Sequence, residues 1–129
     1  MKASEKSKRV IIVDDDEDLL KSLVMILQSE GLEVQGFLLG KEAMDYLLQE
    51  ENMEACSLLI LDRLLPDMDG LEILTALNTK FAKHCPVLIL SLLSSDKDVL
   101  SGLTTGALDY ITKPFNLEIF AEKIKKLIR

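Results

Sequence analysis

Three uninterrupted apolar runs in the chain each end at a polar residue. The runs with their polar residues are Val10–Val13 before Asp14, Leu58–Leu61 before Asp62, and Val87–Leu90 before Ser91. Short apolar runs without alternation are typical of strands that are buried on both faces of a parallel sheet. The pattern therefore predicts three central strands whose carboxyl ends present polar side chains.

Between these runs, apolar residues recur at intervals of three and four, which is the spacing of a helix face. The first predicted helix is capped by Asp16 or Asp18 and ends near Gly31. The other predicted helices are Gly40–Gln49, Leu71–Phe81, a segment capped within residues 94–96 that continues to about Thr105, and Leu117–Ile128. Residues 52–57 are predicted to form a loop.

Two shorter apolar segments, Val34–Phe37 and Tyr110–Thr112, complete the predicted strands. Strands that alternate with helices predict a parallel sheet with helices on both faces and right-handed crossovers. The second strand carries polar Glu33 and Gln35, which favours an edge position. We therefore expect an α/β flavodoxin-like, doubly wound fold with five parallel strands in the order 2-1-3-4-5 and five helices.

Length, composition and charge limit the classes of function. The chain has 129 residues and 48% hydrophobic residues, which is enough for one domain, expected over residues 9–129 after a flexible lead-in over residues 1–8. A net charge of −7 argues against direct nucleic-acid binding by this segment. The sequence contains no signal peptide and no apolar stretch of membrane-spanning length, so we expect a cytoplasmic protein with no membrane contact.

The two cysteines lie at matched positions before two central strands. Cys56 precedes Asp62 by six residues, and Cys85 precedes Ser91 by six residues. Neighbouring strands would bring the two thiols close together at the opposite edge of the sheet. Two reduced thiols are the simpler interpretation, because two cysteines do not form a disulfide framework.

Carboxylates accumulate at the carboxyl edge of the predicted sheet. Strands 1 and 3 are neighbours in the order 2-1-3-4-5, so Asp14, Asp15 and Asp62 are expected to lie close together at the switch point of the sheet. Three carboxylates at this distance repel one another unless a cation neutralises them. A hard divalent cation with oxygen ligands fits this set, and Mg²⁺ is the cation that we expect.

The same edge also receives a hydroxyl group from Ser91 and an ammonium group from Lys113. Acidic, hydroxyl and ammonium groups together predict a phosphate site with one carboxylate left to act as a nucleophile. The chain has neither a G-x-x-x-x-G-K loop nor a G-x-G-x-x-G loop, so nucleotide binding is not indicated.

From about residue 9 to residue 129 the chain resembles the receiver domain of a two-component response regulator. The motifs that carry this resemblance, in chain order, are Val13-Asp14-Asp15-Asp16, residues 62–70 from Asp62 to Gly70, residues 86–91, residues 102–107, and Tyr110-Ile111-Thr112-Lys113-Pro114-Phe115. The resemblance implies a signalling domain that is not an enzyme beyond its own phosphotransfer and autodephosphorylation.

The resemblance implies a role for each residue of the site. Asp62 would accept a phosphoryl group from a sensor histidine kinase or a phosphotransfer protein. Asp15 and Asp62 would bind Mg²⁺ directly, Asp14 would act mainly through water, and the backbone carbonyl of Leu64 would be a further ligand. Lys113 would pair with the phosphoryl oxygens.

The resemblance also implies a conformational switch. Ser91 would move to hydrogen-bond the phosphoryl group, Tyr110 would follow it inward, and the Lys113-Pro114 peptide bond would be cis. The predicted fourth helix, fifth strand and fifth helix form the usual surface for a homodimer or an output partner. The first helix, with Leu19, is a candidate docking surface for the kinase.

Four leucines depart from the family pattern. Leu92 stands where a small residue is usual, which keeps open an alternative: a phosphorylation-independent pseudo-receiver that acts as a protein-interaction module. Leu64 and Leu93 replace residues that are often polar and that tune hydrolysis, which suggests a long-lived phosphorylated state. Leu108 weakens an assignment to the winged-helix class. A flavodoxin-type electron carrier would share the topology, but three aspartates after strand 1 would repel a flavin phosphate.

Overall fold

Five strands and six helices lie along residues 8–128, which are the residues that the computed structural model describes, and every strand is followed by one helix except β2, which is followed by two. The strands are β1 (Arg9–Val13), β2 (Glu33–Phe37), β3 (Cys56–Leu61), β4 (Val87–Ser91) and β5 (Asp109–Thr112). The helices are α1 (Glu17–Ser29), α2 (Gly40–Leu47), α3 (Glu50–Ala55), α4 (Gly70–Lys80), α5 (Asp96–Thr105) and α6 (Leu117–Leu127). The predicted lead-in over residues 1–8 lies outside the described residues apart from Lys8, and its flexibility stays a prediction.

The strands form one parallel sheet in the order β2-β1-β3-β4-β5, which confirms the predicted topology. In the β1–β3 pair, Val13 lies opposite Leu61, so Asp14 and Asp62 follow at the same edge. The backbone amide of Asp62 donates a hydrogen bond to the carbonyl of Val13 at 2.9 Å. This register sets the two aspartates side by side.

Side chains from the central strands alternate between two cores, because successive residues of a strand point to opposite faces. Ile11 and Leu59 face the core that is shared with α2, α3 and α4. Val10 and Leu58 face the core that is shared with α1 and α6. Each of these four strand residues is fully buried, as expected for strands with helices on both faces.

The expected number of helices was wrong. Six helices occupy the described residues, because α3 forms over Glu50–Ala55 where the sequence predicted part of a loop. Gln49 is extended and separates α3 from α2, while Asn52 donates a side-chain hydrogen bond to the carbonyl of Tyr46 at 3.0 Å. Met53 is the one buried residue of α3, so this short helix shows no periodic apolar stripe in the sequence.

The two cysteines are close together at the amino edge of the sheet, as their positions predict. Cys56 and Cys85 are both buried and both free. A hydrogen-bonding interaction with Cys85 lowers the pKa of the Cys56 thiol, and the same interaction together with burial raises the pKa of Cys85. Both thiols therefore lie at the end of the sheet that is opposite the aspartates, where each influences the pKa of the other.

Gly70 holds the segment between β3 and α4 close to the end of β3. Its amide donates to the carbonyl of Arg63 at 2.9 Å, and a Cβ placed on Gly70 would lie 2.1 Å from the carbonyl oxygen of Asp62. Only glycine permits this backbone approach. The position of Asp62 therefore depends on the absence of a side chain at residue 70.

We expect Gly70→Ala to lower the free energy of unfolding by about 1–3 kcal/mol, because the backbone around Asp62 must shift to admit the methyl group. Urea unfolding followed by circular dichroism measures the change. Gly36→Ala is the matched control, since its Cβ would meet only the flexible side chain of Leu20, at 2.9 Å or more. Equal stability of the Gly70→Ala variant and the parent would contradict this account.

Candidate functional site

Asp14, Asp15 and Asp62 form an acidic cluster at the carboxyl edge of the sheet. One carboxylate oxygen from each residue lies within 4.8 Å of the others. Asp14 is 1% exposed and Asp62 is 3% exposed, whereas Asp15 faces solvent. The cluster thus combines two buried carboxylates with one that solvent can reach.

Lys113 lies between the two buried carboxylates. Its Nζ donates to Oδ2 of Asp14 at 2.8 Å and to Oδ2 of Asp62 at 2.9 Å. Burial lowers the pKa of the ammonium, but the hydrogen bonds to Asp14 and Asp62 outweigh it, so the pKa of Lys113 is raised. Lys113 therefore remains charged at neutral pH and compensates one of the three carboxylates.

The buried carboxylates are also oriented by the backbone. Oδ1 of Asp14 accepts a hydrogen bond from the amide of Asp16 at 2.9 Å, and Oδ1 of Asp62 accepts one from the amide of Leu64 at 3.0 Å. Each aspartate thus binds the backbone through one oxygen and Lys113 through the other. The backbone amide of Lys113 in turn donates to the carbonyl of Ser91 at 2.9 Å, which fixes the lysine to β4.

Burial dominates the electrostatics of Asp14. Desolvation raises the pKa of its carboxyl group, while the hydrogen bonds from Lys113 and from the amide of Asp16 lower it, and the net shift is upward. The neighbouring charge of Asp62 raises the pKa further. Two negative charges in the cluster stay uncompensated by Lys113, and they favour the binding of a cation.

Ser91 and Tyr110 are linked through the loop that follows β4. The fully buried Ser91 accepts a hydrogen bond at Oγ from the amide of Leu93 at 3.3 Å. The hydroxyl of Tyr110 donates to the carbonyl of the same Leu93 at 2.6 Å. Ser91 and Tyr110 were both predicted from the sequence, whereas their connection through the backbone of Leu93 has no signal in the sequence.

An open groove of about 560 Å³ leads to the acidic cluster. Its polar part consists of Asp15, Asp16, Asp62 and Lys113. Its apolar rim includes Leu64 and Leu92, which are 45% and 63% exposed. Asp14 does not line the groove, so Asp62 is the buried carboxylate that an entering molecule would meet.

Two acidic residues of the loop after β3 have structural functions that the sequence analysis missed. The carboxylate of Asp67 accepts the amides of Gly40 and Lys41 at 2.9 and 2.8 Å, which fixes the start of α2 and lowers the pKa of Asp67. Asp69 caps α4 and binds the guanidinium of Arg63. No local signal marks the contact of Asp67 with α2, because it spans 27 residues.

Comparison with known proteins gives a consistent result for the family. The family model described as "Response regulator receiver domain" matches residues 10–125. The regulatory protein VanRc of Enterococcus gallinarum is 39% identical over 124 residues, which are 95% of this chain and 51% of that protein. The transcriptional regulatory protein SrrA of Staphylococcus aureus is 35% identical over 123 residues, which are 95% of this chain and 48% of that protein. The chain thus spans about half the length of these relatives.

Solved structures match the whole fold. A beryllofluoride-activated DrrB receiver domain is similar with a TM-score of 0.81 at 35% identity, covering 95% of this chain and 97% of the other. A CheY-like response regulator receiver domain protein from Methanospirillum hungatei is similar with a TM-score of 0.83 at 33% identity, covering 95% of this chain and 94% of the other.

In the part of the chain that the structure describes, no helix has the length and apolar character that crossing a membrane requires.

We expect Asp14→Asn to be more stable than the parent at pH 7 in a buffer that contains a chelator, because it removes one charge from the cluster. The pKa of Asp14 is raised above its ordinary value of 3.8 in the folded chain, so folding favours the protonated carboxyl group. The stability that this protonated group contributes is present at low pH and is lost as the pH rises from 3.8 through the raised pKa. The advantage of the asparagine variant should grow across the same interval.

Urea unfolding at several pH values between 4 and 7 measures this difference. Asp45→Asn is the control, since that carboxylate is exposed and pairs only with Lys41 of its own helix among the ion pairs of the described residues. An Asp14→Asn variant that is less stable than the parent at pH 7 would refute the electrostatic account.

Proposed function

The chain belongs to the family of response regulator receiver domains, which act in two-component signalling, and we propose that Asp62 is its phosphoacceptor. The observation that carries the proposal is the position of the Asp62 carboxylate, bound to Lys113 at 2.9 Å and lining the open groove. Asp14 shares the lysine but is closed off from the groove. A phosphoryl donor that enters the groove therefore meets Asp62.

Mg²⁺ is the cofactor that we assign to the acidic cluster. Receiver domains bind Mg²⁺ in general, and the donor set of this chain fits the ion, because hard divalent cations prefer carboxylate and carbonyl oxygens. Asp15 and Asp62 would bind it directly, Asp14 through water, and the backbone carbonyl of Leu64 would add a ligand. The bound ion would neutralise negative charge that develops during phosphoryl transfer.

Phosphoryl transfer to Asp62 needs no additional base on this chain. An oxygen of the ionised carboxylate attacks phosphorus, the bond to the donor's histidine nitrogen breaks, and that nitrogen leaves with the electron pair. The ammonium of Lys113, already 2.9 Å from Asp62, would then pair with a phosphoryl oxygen. Ser91 would donate a hydrogen bond to the new group, and Tyr110 would follow through their shared contact with Leu93.

The donor that we propose is a sensor histidine kinase or a phosphotransfer protein of the cytoplasm. Leu19 of α1 and Leu117 of α6 lie on the rim of the groove, where such a partner would contact the domain. VanRc is a regulatory protein and SrrA a transcriptional regulatory protein, and this chain covers only 51% and 48% of their lengths, which supports a regulatory output for the whole protein.

The surface formed by α5, β5 and α6 is the proposed site for a homodimer or an output partner. Four large apolar side chains on or beside these elements are exposed: Leu100, Leu103, Leu108 and Ile119. The acidic balance of the chain supports a protein partner rather than nucleic acid for this segment.

Incubation with acetyl phosphate and Mg²⁺ is expected to add one phosphoryl group to the parent, and Asp62→Asn is expected to abolish the addition because it removes the nucleophile. Intact-protein mass spectrometry measures both. Asp45→Asn tests whether any exposed carboxylate reacts, and it should be modified like the parent. A parent that stays unmodified, with or without Mg²⁺, would instead favour the pseudo-receiver alternative.

Leu64 and Leu93 are expected to slow hydrolysis of the phosphorylated state by keeping water from Asp62. Leu64→Asn and Leu93→Glu should therefore each accelerate autodephosphorylation several-fold, measured as loss of the modified mass after the donor is removed. Leu100→Asn is the control, because Leu100 is 65% exposed and does not line the groove. Unchanged rates in both site variants would count against shielding.

A further inference from the structure

Arg63 is the residue that directly follows the proposed phosphoacceptor, yet its side chain is held away from the site. Its Nε and Nη2 donate to the two carboxylate oxygens of Asp69 at 3.5 and 3.3 Å. Its Nη1 donates to the carbonyl of Asp98 and to Oγ of Ser101, both at 3.1 Å. One guanidinium therefore binds the N-cap of α4 and the first turns of α5 together.

The guanidinium also lies beside Tyr110. Burial lowers the pKa of Arg63, whereas its bonds to Asp69 and its interaction with the hydroxyl of Tyr110 raise it, and the net shift is upward. The ring of Tyr110 packs on Gly102 of α5, where a Cβ would lie 2.8 Å from the ring. Arg63 thus occupies the point where the loop after β3, α5 and Tyr110 meet.

The environment of Arg63 differs from that of an ordinary surface ion pair. Its side chain is only 10% exposed, and all three guanidinium nitrogens have protein partners. A planar fork with fixed donors orients its partners more strictly than a lysine would. Loss of one partner would leave a mostly buried charge insufficiently paired. The contacts of Arg63 to Asp69 and to α5 therefore depend on each other.

The geometry points to Arg63 as a positioning residue that couples the loading of Asp62 to the positions of α5 and Tyr110. This inference rests on the proposed function of Asp62. Asp62 lines the groove, whereas the side chain of the next residue, Arg63, binds the N-cap of α4 and the first turns of α5. A displacement of the backbone at Asp62 is therefore transmitted to α5 through the guanidinium.

Tyr110 offers a direct spectroscopic readout of this coupling. The chain has no tryptophan and two tyrosines, so Tyr46→Phe leaves Tyr110 as the single tyrosine of the chain. Tyr46 accepts a hydrogen bond from Arg9, the first residue of β1, at 3.2 Å, and neither residue lines the groove. In this parent variant, tyrosine emission reports on Tyr110, and ¹⁹F NMR reports independently on bound beryllofluoride in the presence of Mg²⁺.

We expect Arg63→Met in this parent to bind beryllofluoride within a few-fold of the parent affinity. Its change in tyrosine emission should fall below about half of the parent's, because the contact between the site and α5 is lost. Arg63→Lys should give an intermediate change, since it keeps the charge and loses the fork. Arg9→Met is the matched control: Arg9 also pairs with a carboxylate, that of Glu33, and its loss should leave the emission change intact.

Ser101→Ala provides the test if Arg63→Met does not fold, because it removes one hydrogen bond on the α5 side and keeps Arg63. A full emission change in both Arg63→Met and Ser101→Ala, or an equal loss in Arg9→Met, would overturn the inference. A parent that binds beryllofluoride without any change in emission would overturn the inference about Arg63 but not the proposed function of Asp62. A parent that binds no beryllofluoride would overturn the proposed function, and the inference with it.

Discussion

One ammonium group shared by two buried carboxylates is the interaction on which the site depends. Lys113 approaches Asp14 at 2.8 Å and Asp62 at 2.9 Å, and the two aspartates come from loops after neighbouring strands. Without the ammonium, the two carboxylates would repel each other in an environment that screens poorly. With it, the repulsion between them is reduced, and three carboxylates around one ammonium still leave negative charge that attracts a divalent cation.

Strand register is what makes this sharing possible. Val13 and Leu61 are paired, so Asp14 and Asp62 leave the sheet at the same level, and the amide bond of Lys113 to Ser91 sets the level of the lysine. A slip of one residue would turn the side chains of β3 to the other face and remove Asp62 from the groove. The two packed cores prevent that slip, because every residue of Leu58–Leu61 is buried.

The sequence predicted those features of the fold and site that depend on local patterns. Apolar runs that end in Asp14, Asp62 and Ser91 located the strand ends, and topology then placed these residues at one edge. Short α3 was missed because a single buried residue, Met53, gives no period. The cap that Asp67 provides for α2 was missed for a different reason: its partners are set by tertiary packing, and nothing near Asp67 in the sequence indicates them.

Acidic residues perform two different tasks in this domain, and the position of the nearest cation separates them. Asp69 and Asp98 lie around Arg63, whose guanidinium pairs with both carboxylates at 3.3 and 4.0 Å, so this ion pair links the start of α4 to α5. In the acidic cluster, one ammonium faces three carboxylates, so the charge there is left for a ligand. The site at the sheet edge therefore has room for a cationic ligand, whereas Arg63, a single residue further along the chain than Asp62, uses its guanidinium to connect the loop after β3 to α5.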